Sequence, residues 1–220
     1  MTKSIPSLGF NPACRDCPRL AKYLDRIRED HPGYYARPVP SFGPERAELL
    51  VVGLAPGMHG ANRTGRPFTG DYAGILLYRT LYKYGFGSHP GSDDPSDGLR
   101  LFRCRITNAI KCVPPGNKPL TEEVRRCNHY LADEIAAVRP RALLALGAVA
   151  HRAVLLTLGE PASKHPFAHG AVHVLDREGR SVRLYDSYHC SRYNTQTKRL
   201  TAAGFEAVFR RIAQWLRGKR

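Results

Sequence analysis

The chain has 220 residues, 42% of them hydrophobic, and no run approaches the roughly 18 apolar residues that a membrane-crossing helix needs. That composition excludes a disordered, low-complexity or helical membrane protein and fits one domain spanning 1–220. Lys and Arg number 34 against 19 acids, a net charge of +15 spread along the whole chain, which favours an extended polyanion, nucleic acid, as partner.

The first ~45 residues follow no regular rhythm but carry a C-x2-C pair, Cys14 and Cys17. The N-terminal stretch lacks a charged-then-apolar leader, so a cytoplasmic, nucleoid-associated location with reduced thiols is expected. Glu48 to Ala55 reads as a buried strand. A glycine-rich loop follows, and Ala73 to Phe86 has helical spacing stopped by Gly85 and Gly87. Ser88 to Gly98, rich in Gly, Pro and Asp, is a loop. Leu101 to Ile110 reads as a second strand, and Thr121 as the N-cap of a helix ended by Pro140, with Glu122 and Glu123 in its first turn. Arg141 to Gly147 is a third strand, and a helix from Ala148 ends at Gly159. Residues 171–176 and 181–189 read as a hairpin, and a last helix begins at Thr201. Strands alternating with helices predict an α/β fold, a mainly parallel sheet with helices on both faces.

Ligands in such folds sit beyond the carboxyl ends of the strands. Three chemically rich loops fall there. The first, "GLAPGMHGANRTGRPFTGDYAG" (Gly53 to Gly74), holds Arg63, Arg66, Phe68 and Asp71. It contains neither a nucleotide phosphate loop nor a dinucleotide fingerprint. Phe68 offers a stacking face, or else plugs the core. Arg63 and Arg66 can meet phosphates, or form a solvated pair. Asn108, in the second loop, can read an edge presenting N–H beside C=O, or cap a turn. His189, in the third, is a proton donor or a structural imidazole.

Cys14, Cys17, Cys112 and Cys127 supply the ligand count for zinc or an iron–sulfur cluster, and their spacing does not decide between the two. Arg15, Arg19, Lys111, Arg125 and Arg126 stand near them in sequence, cations suited to offset a cluster's negative charge. Cys104 reads as a small core residue and Cys190 falls in a loop.

The first loop, "TNAIKCVPPGNKP" and "SYHCSRYNTQTKRL", in this order with the four cysteines, resemble uracil-DNA glycosylases of the iron–sulfur type. Leu54 and Ala55 after Gly53 are similar to the broad-specificity family 5 branch. The resemblance covers about Cys14 to Leu200. It implies a three-layer α/β/α sandwich, a [4Fe-4S] cluster on Cys14, Cys17, Cys112 and Cys127, and excision of uracil and other deaminated or damaged bases from DNA. It further implies a base pocket of Gly53, Leu54, Ala55, Phe68, Asn108 and His189. Leu54 and Ala55 cannot activate water, so catalysis is expected of Asp71 and His189, with an acid at a helix start as the plainer reading of Asp71. Arg63, Arg66, Arg192, Tyr193 and Asn194 are the expected DNA contacts. Cys190 replaces the proline usual after this histidine, removing a fixed φ from the loop. A monomer is expected, and a sliding-clamp partner is not legible. An iron–sulfur electron-transfer protein and a zinc-stapled nucleic-acid-binding module are the alternatives.

Overall fold

The computed structural model describes residues 9–177 and 179–218. Its elements are α1 (Pro18–Asp30), β1 (Leu49–Gly53), α2 (Ala61–Thr64), α3 (Tyr72–Lys83), β2 (Cys104–Asn108), α4 (Thr121–Val138), β3 (Ala142–Leu146), α5 (Ala148–Leu158), β4 (Val172–Arg177), β5 (Arg180–Ser187), α6 (Arg192–Gln196) and α7 (Ala202–Arg217). The sheet order is β2-β1-β3-β5-β4. The pairs β1–β2, β1–β3 and β3–β5 are parallel, and β4 joins the edge antiparallel to β5. The carboxyl ends of β1, β2, β3 and β5 therefore share one rim.

Strand residues alternate between two cores, as period-2 geometry requires. Leu49, Val51, Leu144 and Tyr185 pack against Leu77 and Leu81 of α3 and Phe205, Phe209 and Ile212 of α7. Leu50, Val52, Leu143, Ala145 and Leu184 pack against Leu131 and Ile135 of α4 and Ala150, Ala153 and Val154 of α5. This is the three-layer sandwich. Each large apolar side chain so enclosed contributes about 1.5–3 kcal/mol, and β1, β2 and β3 are buried on both faces, which fixes the rim firmly.

Three local readings are corrected. The N-terminal segment contains a helix: Pro18 opens α1, and Leu20, Leu24 and Ile27 bury one stripe. The second strand starts only at Cys104, because Arg103 takes a positive φ and turns the chain there, and it ends at Asn108. Thr121 is the first helical residue rather than the cap, and the Glu123 carboxylate accepts the Leu120 N–H at 2.8 Å. Two cysteine readings hold: Cys104 is a core residue, and Cys190 lies in a loop, where it is fully buried. Among the described residues no helix is long and apolar enough to cross a membrane.

Candidate active site

The three rim loops enclose one cavity of about 390 Å³, lined by Leu54, Ala55, Phe68, Asp71, Asn108 and His189 together with Tyr72, Asn117, Ser191 and Arg192. Its size suits a small ligand. Asn108 ends β2 beside Gly53, its register partner at the end of β1. His189 lies two residues past β5.

The glycines of the first loop make room for the site's own side chains. A Cβ on Gly53 would strike both the Asn108 amide oxygen and the Phe68 ring, and one on Gly57 or Gly60 would enter the Asp71 carboxylate. Gly53 is thus a spacer between site residues, where it was expected to line the pocket itself. Gly74 lets α3 approach the Phe68 carbonyl, a place where any Cβ would collide. Phe68 itself holds a positive φ of 57°, a conformation costing about 1–3 kcal/mol that collects at functional sites. The Tyr78 hydroxyl, donating to the Pro67 carbonyl at 2.6 Å, helps to hold it.

Phe68 belongs to the core, 5% exposed, and also borders the cavity. Its ring faces that of His189, with centroids 5.9 Å apart and planes 26° from parallel. Asn108 is 4% exposed, and among the described residues its Oδ1 has no hydrogen-bond partner. A buried acceptor left unpaired costs about 1–3 kcal/mol.

Asp71 stands at the N-cap of α3, yet its side chain makes no capping bond. The carboxylate instead accepts the Ala61 N–H at 3.1 Å and borders the cavity. Burial pushes its pKa above the ordinary carboxylate value, while the Ala61 N–H, Arg63 and His59 pull the other way. His189 is lowered by burial to about 4, so its imidazole is neutral at pH 7. The His189 carbonyl accepts from the Asn194 amide at 2.8 Å. Asn194 thus braces this loop, and the buried Cys190 anchors it where a proline's fixed φ is absent.

The two arginines of the first loop separate. Arg63 is exposed, and its Nε donates to the His59 carbonyl at 2.7 Å. Arg66 is 7% exposed and fully engaged, donating to Thr69 Oγ1 at 2.7 Å, Ser92 Oγ at 2.8 Å, the Asp94 carbonyl at 2.7 Å and the Asp97 carboxylate. It pins the 92–97 loop and is not free for a phosphate. On α6, Arg192 sits 5.7 Å over the Tyr72 ring, and Tyr193 is 70% exposed.

Cys14, Cys17, Cys112 and Cys127 line a second hollow with Leu20, Ile110 and Tyr130, about which α1, the loop after β2 and α4 meet. Burial, then the neighbouring Cys127, pushes the Cys17 thiol up to about 11, and burial raises Cys112 and Cys127 as well. Such thiols ionise only beside a cation. Among the described residues no three of these sulfurs gather within 4.8 Å of one another. Four thiolates are a donor set that zinc and iron–sulfur clusters both take. Of the cations expected to neutralise a cluster, several are already paired: Arg15 with Asp25, Arg19 with Glu123, Lys111 with Glu134, and Arg126 with Glu122. The Lys111 backbone N–H still donates to Cys127 Sγ at 3.4 Å.

Tyr72, Asn117 and Ser191 were not singled out in the sequence. Asn117 follows the paired prolines and takes a positive φ of 56°, a turn chemistry that the "PPGN" run signals.

The family model of the uracil DNA glycosylase superfamily matches residues 40–217. The chain is 47% identical over 202 residues to a Type-5 uracil-DNA glycosylase of Thermus thermophilus, covering 89% of this chain and 90% of that protein. It is 45% identical over 204 residues to one of Pyrobaculum aerophilum, covering 91% and 88%. A Type-4 uracil-DNA glycosylase of Archaeoglobus fulgidus is 34% identical over 152 residues, covering 69% of each chain. With its motifs gathered at one rim and the match running through both layers of helices, the chain belongs to the uracil DNA glycosylase superfamily.

Proposed function

We propose that the protein is a monofunctional uracil-DNA glycosylase that hydrolyses the N-glycosidic bond and leaves an abasic site. The observation that carries this reading is the unpartnered Asn108 Oδ1 in a cavity walled by Phe68. A base inside a duplex cannot reach such a cavity, so the nucleotide must be extruded. The net charge of +15 supplies the attraction to the backbone.

In the cavity, Phe68 stacks on the uracil face. Asn108 Oδ1 accepts the N3–H while its amide N–H₂ donates to the neighbouring carbonyl. As the glycosidic bond breaks, the electron pair leaves with the base and the sugar becomes cationic. The neutral His189 donates a hydrogen bond to the departing anion, and its low pKa lets it do so without first shedding charge. The Asp71 carboxylate stabilises the sugar cation and orients the water that adds to it, accepting the proton this addition releases, and the base anion is protonated in turn to leave as the neutral base. The apolar Leu54 and Ala55 exclude other water. Arg63, Arg192 and Tyr193 are the side chains free to meet the DNA.

Cys14, Cys17, Cys112 and Cys127 would hold an iron–sulfur cluster of the [4Fe-4S] class. When bound, it would crosslink α1, the loop after β2 and α4, with no part in bond cleavage. The test is a panel of duplexes with one modified base each, assayed for base release with enzyme in excess. Uracil release with the strand intact is expected. Absence of release from uracil, hypoxanthine and ethenocytosine would refute the reading.

A further inference from the structure

Apart from the buried Arg105–Glu134 pair and Asn128, the side of the sheet facing α4 and α5 carries a further buried polar cluster. Asp186, on β5, is 0% exposed, with Ala145 as its register partner on β3. A buried carboxylate is costly without a positive partner. Two imidazoles converge on it. His151 of α5, 1% exposed, brings Nδ1 to 2.8 Å from Oδ1, and His173 of β4 brings Nε2 to 3.0 Å from Oδ2. One ligand atom from each of the three lies within 4.8 Å of the others.

Proton accounting makes this arrangement informative. The other nitrogen of His151, Nε2, lies 2.8 Å from the His165 carbonyl oxygen. A carbonyl only accepts, so Nε2 carries the hydrogen, and in a neutral imidazole Nδ1 is then a bare lone pair. That lone pair faces a carboxylate oxygen, and two lone pairs at this separation repel. A cation must hold them together, either a proton on the line between them or a metal ion bonded to both from one side.

We propose that His151, His173 and Asp186 form a divalent transition-metal site of the zinc type. Imidazole and carboxylate are the donors such ions take. The His151 Nε2–H to carbonyl bond is the outer contact that fixes a metal-binding tautomer. Three protein ligands leave one tetrahedral position, and the His165 ring stands beside His173, with centroids 5.4 Å apart. The ion would staple α5 to β4 and β5, three residues before His189. It is separate in residues from the four-cysteine hollow, and it does not depend on how the cavity is read.

The test uses the protein with its iron–sulfur cluster intact. Zinc is added in excess, loose metal is removed by dialysis, and zinc and iron are both counted. About one zinc per chain is expected, with the iron count unchanged. Cobalt in its place should give only the weak visible bands of nitrogen and oxygen ligation. Asp186→Asn and His173→Ala should each weaken zinc binding about 10-fold or more, with folding checked by circular dichroism. If the variants do not fold, the wild-type count and the cobalt spectrum still decide. No zinc retained by folded wild-type protein, or intense thiolate-to-cobalt bands, would overturn the proposal and leave the proton as the cation.

Discussion

The cavity at the strand ends and the four-cysteine hollow are both rich in polar groups, but they treat those groups in opposite ways. Around the cysteines the charges are paired. Arg19 meets Glu123, and Lys111 and Arg105 meet Glu134. Burial alone would raise the Glu134 carboxyl, but these two cations hold it below its ordinary value. In the cavity, Asn108 Oδ1 is unpartnered, Asp71 is held above its ordinary range, and Phe68 keeps a strained backbone. Paired charge builds a scaffold. Unpaired polarity held in place by a rigid sheet is what binding and catalysis require, because the ligand supplies the missing partner.

The largest effect expected from breaking this contrast is at the cavity. Asp71→Asn removes the anion while keeping shape and should slow single-turnover uracil release by about 10²–10⁴-fold, with DNA affinity little changed. A rate within a few-fold of wild type would return Asp71 to the role of an acid at a helix start. His189→Ala removes one donor to the departing base and should cost about 10²–10³-fold in the same assay. A loss of affinity without a loss of rate would contradict its role.

The hollow should respond in stability instead. Cys127→Ala should lose iron, measured by metal analysis, and lower the melting temperature by about 10 °C. Arg66→Ala strands the Asp97 carboxylate and should destabilise by about 3 kcal/mol, read by denaturant unfolding, while leaving the salt dependence of DNA binding unchanged. Arg63→Ala is the smallest change. It should leave stability alone and reduce the slope of log affinity against log salt by about 1. If Arg66 and Arg63 exchanged these outcomes, the assignment of one to scaffold and the other to surface would be reversed.

Much of this was legible in the sequence because it is local. The apolar runs gave β1, β2 and β3, and the motif loops had to share a rim once the strands were parallel. α1 was missed, although Pro18 and the Leu20, Leu24, Ile27 stripe carry the signal, because it precedes the alternating pattern. The difference between Arg63 and Arg66 was not legible. It depends on Ser92, Asp94 and Asp97, a segment some thirty residues away whose only local signature is that of a loop. The clearance at Gly53 was not legible for a related reason: Asn108, which sits against it, comes from another strand. The His151, Asp186 and His173 set was invisible because three elements contribute one residue each.

The pH dependence of single-turnover uracil release tests the account most directly. Burial raises the Asp71 carboxyl above its ordinary value, so the anion that the account requires is lost on acidification earlier than from an exposed carboxylate. His189, lowered by burial to about 4, is neutral at pH 7. The wild-type rate should therefore fall on acidification, and this acid limb should be missing from Asp71→Asn while the variant still binds the duplex. A rate that rises toward acid pH, or an acid limb unchanged in Asp71→Asn, would contradict the account.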